Sequence, residues 1–157
     1  MPADSEPASG TAPGPELPHT FRPLGVRLAA AVLGVLLLVI SVVIWFAFPK
    51  EIRDQFTLYQ KATVVFFGLL FYGAGYALAR SRVVAREDGV TVVNGYRTRR
   101  YEWNEIVAVT LRSGSPWAVL DISDGTTVAA MGIQGSDGPR AVRQVRDMRI
   151  LVERLTR

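Results

Sequence analysis

The run Leu28–Phe48, LAAAVLGVLLLVISVVIWFAF, holds 21 residues and no charge. As an α-helix it is about 32 Å long, enough to cross a hydrocarbon core of about 30 Å. A surface helix of a water-soluble domain carries a polar stripe along one side, and this run has none. The chain is therefore expected to sit in a membrane. A second run, Ala62–Ala79, has 18 residues. At about 27 Å it makes a span once its polar flanks snorkel toward the surface. Between them lies a polar link, Pro49–Lys61, carrying Lys50, Glu51, Arg53, Asp54 and Lys61. Trp45, Phe46 and Phe48 close the first run, where aromatic rings favour the membrane interface. Ala30 with Gly34, and Gly75 with Ala79, recur at a four-residue spacing that lets helices approach closely.

Two spans put both termini on one side. That side carries Arg22, Arg27, Arg80, Arg82 and Arg86 near the spans, against Lys50, Arg53 and Lys61 in the link. The excess of basic residues predicts a two-pass protein of the plasma membrane with both termini cytoplasmic. Ahead of the spans, residues 1–22 form a proline-rich tail with Pro2, Pro7, Pro13, Pro15 and Pro18. Almost no bulky apolar side chain offsets the entropy of ordering it, so it is expected to be disordered. The leading segment is acidic and long, unlike a signal peptide, and no small-residue cleavage pattern follows the apolar run; the run is expected to be retained as an anchor. The expected organisation is tail 1–22, transmembrane hairpin 23–80 with spans of about 28–48 and 62–79, and a domain over 81–157.

Beyond Ala79 the apolar pattern changes to period two. Short β-rich stretches are punctuated by Asp88-Gly89, Asn94-Gly95, Ser113–Pro116 and Asp124-Gly125. Asn-Gly flanked by alternating residues is a strong hairpin signal. About six strands between Arg82 and Met131 predict a small antiparallel sandwich or barrel, its last strand weakened at Gly132. Ser136 or Asp137 can cap a final helix that has Pro139 in its first turn. Val142, Val145, Met148, Val152 and Leu155 then make one apolar stripe expected to cover the open side of the sandwich. The fold class is α+β: an N-terminal two-helix transmembrane hairpin, then an antiparallel β-sandwich capped by a C-terminal helix.

Several chemistries are excluded or poorly supported. The chain has no cysteine and one histidine, His19, in the tail. A thiolate nucleophile and cysteine metal sites are absent, and imidazole catalysis needs a positioned ring. Asp121 and Asp124 before Gly125 lack the spacing and the bidentate glutamate of a calcium loop. Ser113 and Ser115 have no activating base, and the glycines form no phosphate-cradling loop. No enzyme, metal or cofactor is expected. The net charge of +4 is almost all arginine. No nucleic-acid motif accompanies it, so anionic headgroups beside the membrane are the better match.

The order of two spans, a meander of strands and one helix resembles membrane-tethered bacterial pleckstrin-homology (PH)-like domains of small actinobacterial proteins. The resemblance is carried by Arg82-Val-Val-Ala-Arg86-Glu-Asp-Gly89, by Asn94-Gly95 with the basic strand after it, and by Tyr101-Glu-Trp103-Asn-Glu-Ile106. It covers roughly residues 24–156. Trp103 and Ile106 are expected to be core anchors, since both bury large apolar areas. Arg97, Arg99 and Arg100 form a basic cluster with Arg86 expected across the sheet, and Arg86, Arg97 and Arg99 resemble the phosphate-gripping pattern of lipid-binding PH domains; the four are the expected contact for a lipid headgroup or a partner. The expected function is a non-catalytic scaffold or interaction module at the cytoplasmic face, with the bilayer and a protein as partners. The alternative is a sensor of anionic lipid headgroups through the basic strand face.

Overall fold

A computed structural model describes residues 14–156; the expectation of disorder over residues 1–13 lies outside them. The elements in chain order are β1 (His19–Phe21), α1 (Gly25–Ala47), α2 (Lys50–Gln55), α3 (Leu58–Arg80), β2 (Arg82–Arg86), β3 (Gly89–Asn94), β4 (Arg97–Tyr101), β5 (Ile106–Thr110), β6 (Trp117–Ile122), β7 (Thr127–Gln134) and α4 (Pro139–Leu155). Two antiparallel sheets, β1-β2-β3-β4 and β5-β6-β7, enclose one core, and α4 covers it.

The first strand is the main departure from the sequence reading. His19, Thr20 and Phe21 pair with Ala85, Val84 and Val83 of β2. Phe21 and Pro23 are fully buried, and Leu17 packs against the same core. Described residues 14–22 are therefore not a disordered tail. A single large ring in the core outweighs the prolines around it. His19 packs edge-on against Phe21, with ring centroids 4.6 Å apart. The helical hairpin is an insertion between two neighbouring strands of one sheet, so the sandwich includes residues 17–23 as well as 81–156.

The hairpin helices are longer than the apolar runs. Each has 23 residues, about 35 Å. Helix α3 begins at Leu58, ahead of the expected Ala62, because Thr57 and Gln60 form a reciprocal capping box. Tyr72 donates its hydroxyl to the Gly34 carbonyl of α1. A Cβ on Gly34 would lie 3.2 Å from the Tyr72 ring, so this glycine sets how closely the helices approach. At the far end Phe56 packs on Trp45 and Phe48, and Lys61 lies over the Trp45 ring.

The sandwich grips both helix ends. Ser136 or Asp137 was expected to cap α4, and neither does; the two carboxylate oxygens of Asp137 instead accept from the amides of Leu24 and Gly25, at 2.9 and 2.8 Å. A carboxylate there satisfies orphan donors at the start of α1 and opposes the positive end of the helix dipole. Helix α4 is preceded by Gly138, with φ +56, and has no side-chain cap. At the end of α3 the buried Ser81 hydroxyl accepts from the Gly95 amide at 3.0 Å. Tyr96 donates to the Gly73 carbonyl at 2.8 Å, and Arg80 stacks over the rings of Tyr76 and Tyr96.

Three further details differ from the sequence reading. The β3–β4 turn has Gly95 and Tyr96 as its central residues, because Asn94 pairs with Arg97. Gly95 takes φ +58, as the first central position of a primed two-residue turn requires. Strand β7 continues through Gly132 to Gln134, because a glycine is needed where it crosses β2: a Cβ there would lie 2.5 Å from the Val83 nitrogen. On α4 the buried stripe is Ala141, Val145, Met148, Leu151 and Val152, while Val142 is 64% exposed.

Asp124 closes the β6–β7 turn by accepting from the Thr126 amide and hydroxyl, at 2.8 and 2.7 Å. These bonds hold its carboxyl below the usual range. A lowered folded value means that this contribution is present above the ordinary carboxylate pKa and is lost as pH falls through the lowered one.

Residues 80–157 alone lack β1 and should not melt cooperatively. Joining residues 14–23 to residues 81–157 by a short glycine-rich linker should restore a cooperative melt. Phe21→Ala in that chain should cost about 3–5 kcal/mol by chemical denaturation. A cooperative melt of 80–157 alone would show β1 to be dispensable.

Candidate functional site

Partners across an antiparallel ladder project to the same side. Val90 and Val92 belong to the core and pair with Tyr101 and Arg99, and Asn94 pairs with Arg97. Arg97, Arg99 and Tyr101 therefore project on the inner side of the sheet, along its β4 edge. Thr91 pairs with Arg100, which projects outward. Arg86 donates to the Thr91 hydroxyl at 3.3 Å and shares that outer face.

The four arginines expected to form one contact are thus divided. Arg86 and Arg100 lie outside, where Arg100 is ion-paired with Asp88 of the β2–β3 turn. Both partners of that pair are more than half exposed, so it adds little to stability. Arg97 and Arg99 instead line a cleft of about 160 Å³ between the two sheets, with Val92, Asn94, Thr127, Val128 and Ala129. Neither has an acidic ion-pair partner among the described residues. Two guanidinium groups beside the Thr127 hydroxyl suit an anion with several oxygens.

The wall of this cleft is held by a residue that the sequence presents as a turn former. The Asn94 amide donates to the Ala129 carbonyl at 2.5 Å, and its oxygen accepts from the Met131 amide at 3.1 Å. The side chain thereby pairs with β7 much as a neighbouring strand's backbone would, and joins the two sheets at the cleft. Asn-Gly spacing pointed to a hairpin and gave no sign of this second role. Tyr96 was likewise not singled out, and Asp137 was read only as a possible cap for the last helix, because their partners lie 23 and more than 100 residues away.

Trp103 and Ile106 lie in the core, 5% and 2% exposed. The Trp103 ring N–H donates to the carbonyls of Arg86 and Glu87, at 2.9 and 3.2 Å. It ties the end of β2 to a short 3₁₀ turn, Trp103–Glu105, where the side chain of Glu105 accepts from the Glu102 amide. Gly89 is required here, with φ +142, because a Cβ would lie 2.4 Å from the Tyr101 carbonyl oxygen.

The sequence resemblance implies about six strands closed by one C-terminal helix; the structure has these and adds β1 as a seventh. Residues 80–150 match the family model described as a bacterial PH domain. This stretch of the chain is a bacterial PH-like domain. Its relatives are actinobacterial: uncharacterized proteins of Mycobacterium tuberculosis (strain ATCC 25618 / H37Rv) and of Mycobacterium bovis are each 34% identical over 87 residues, or 55% of this chain. The chain spans 56% of the length of these curated relatives. No solved structure matches it.

Asn94→Ala should leave the Met131 N–H and the Ala129 carbonyl without a partner at the sheet junction. The expected loss is about 1–3 kcal/mol, with faster amide hydrogen exchange at Met131. Unchanged exchange at Met131 would show that Asn94 does not hold the sheets together.

Proposed function

We propose that this chain is a membrane-anchored, non-catalytic interaction module, whose PH-like domain is held against the cytoplasmic face of the plasma membrane to engage a protein partner. The observation that carries this reading is the hairpin insertion. Helices α1 and α3 are each long and apolar enough to cross a membrane, and almost none of their length is buried in the structure. So much exposed apolar surface calls for lipid around it. Strand β1 precedes the hairpin and β2 follows it, and the two are paired. A hairpin that crosses the bilayer twice therefore leaves the whole sandwich on one side. The charge bias of the flanks favours the cytoplasm.

The clamps at Asp137, Ser81 and Tyr96 hold the domain in one orientation relative to the helices. That suits a module presenting a fixed surface better than a domain swinging on a tether. Because the chain has no cysteine, single cysteines test the topology cleanly. With a membrane-impermeant maleimide on intact cells, Glu51→Cys in the α1–α3 link should be labelled. Ser113→Cys in the β5–β6 loop should be labelled only after permeabilisation. The reverse pattern would overturn the orientation. A chain that stays soluble and monodisperse without detergent would overturn the membrane reading itself.

A second reading, contact with anionic lipid headgroups, is favoured by the unpaired Arg97 and Arg99 in the cleft. Tyr96, beside Arg97, reaches Gly73 on α3, about 10 Å back from the helix end at Arg80. The β4 edge thus starts at the level where headgroups would lie. In the hairpin-less domain, replacing Arg97 and Arg99 by Gln should weaken binding to anionic vesicles by about 2 kcal/mol, roughly thirty-fold. Stability should barely change, since both side chains are exposed. Equal vesicle binding by the variant and its parent would leave only the protein-partner reading.

A further inference from the structure

Between the two long helices, on the half next to the sandwich, lies a groove of about 640 Å³. On α1 it runs from Val26 to Val35, about 14 Å along the axis. Its hollow comes from small side chains: Ala30 and Gly34 of α1 face Gly75 and Ala79 of α3, with the Tyr72 ring crossing between the helices. The lining is almost wholly apolar, apart from Arg27 and the hydroxyls of Tyr72 and Tyr76. Arg27 stands at the sandwich end, in the first turns of α1. Arg80, the residue after Ala79 of the opposite wall, lies over the Tyr76 ring of that wall and over the Tyr96 ring of the sandwich, bringing a second cation beside the same end. Neither arginine has an acidic ion-pair partner among the described residues.

From this arrangement we infer that the groove is a binding site for one anionic phospholipid of the leaflet on the sandwich side. One acyl chain lies along Ala30, Gly34, Gly75 and Ala79, and the phosphate sits between Arg27 and Arg80. Charge complementarity selects this occupant. A groove meant for a neighbouring apolar helix has no use for two unpaired guanidinium groups at one end. A lipid phosphate needs donors there, and arginine supplies them in a geometry that fits phosphate oxygens. The groove ends about half-way along the helices, as a site within one leaflet should. It is separate from the Arg97–Arg99 cleft, and it rests on the proposal that the two helices cross a membrane.

The test uses the full chain purified in detergent, with phosphatidylglycerol or phosphatidylcholine added at equal concentration. Bound lipid is read by native mass spectrometry. The unvaried chain should retain one phosphatidylglycerol and little phosphatidylcholine. Arg27→Gln should weaken phosphatidylglycerol retention roughly five-fold, and the double variant Arg27→Gln, Arg80→Gln roughly thirty-fold. Ala30→Leu fills the groove and should abolish retention of either lipid. Circular dichroism confirms folding of each variant, and exposed Arg27 keeps the single variant informative if Ala30→Leu does not fold. Equal retention of the two lipids, undiminished retention in Arg27→Gln, or a lipid-free dimer would overturn the site. A chain that needs no detergent would instead remove the membrane reading on which the site rests, so the two failures are distinguishable.

Discussion

The pairing of His19–Phe21 with Val83–Ala85 is the contact on which the rest of the structure depends. It closes a sheet across a gap of some sixty residues, and it brings Phe21 into a core that the rest of the sandwich only partly fills. A three-residue strand contributes few ladder bonds. Its hold comes from the Phe21 ring and from Pro23, both fully buried. Area of this kind stabilises by about 25 cal/mol per Å² removed from water, which for a phenylalanine far exceeds the net gain of one backbone hydrogen bond. Because the strand ends four residues before α1 begins, this contact also fixes where the first long helix leaves the sandwich.

The other clamps act on the same junction. Asp137 neutralises the amide-rich start of α1, while Ser81 and Tyr96 occupy polar groups at the end of α3. Each is a single interaction of modest size. Together they tie two separate parts of the sandwich, the β7–α4 connection and the β3–β4 turn, to two helix ends. Domain and hairpin therefore share one framework, rather than being two bodies joined by a flexible linker. The Tyr96 contact also places the β4 edge, and with it Arg97, close to the helix surface.

Much of the fold was legible in the sequence, because its signals are local. The apolar runs, the period-two stretches, the turn residues and the Trp103–Ile106 segment all declare themselves within a few residues. The errors occurred where partners are distant. Residues 14–22 read as a tail because proline content outweighs one phenylalanine until the partner strand is known. Asn94 read as a turn residue because its strongest role is a bond 35 residues away. On the α4 stripe Val145, Met148, Val152 and Leu155 were read correctly, but Ala141, too small to register as an apolar anchor, is buried where Val142 is not. Of the candidate site, the alternation of Arg97 and Arg99 was readable. The same alternation puts Arg100 on the opposite face; what was not readable is that Arg86 shares that face and that Arg97 and Arg99 project inward, because both depend on strand register and packing.

If the two long helices cross a membrane as proposed, a strand that waits on one side of the hairpin for its neighbour on the other acts as a parity check on their insertion. When β1 leaves the ribosome, β2 has yet to be made, and two apolar helices come between them. If both helices enter the bilayer, β1 and β2 emerge on the same side and the sheet closes. If only one enters, the strands are left on opposite faces of a barrier that neither can cross. Phe21 and the core it would have filled then stay exposed to water. The mis-inserted chain is thereby marked by an open sandwich, a state that quality-control proteases recognise by its exposed backbone and apolar surface. In a membrane-spanning chain of this design, the pairing of β1 with β2 makes correct folding of the domain conditional on an even number of crossings.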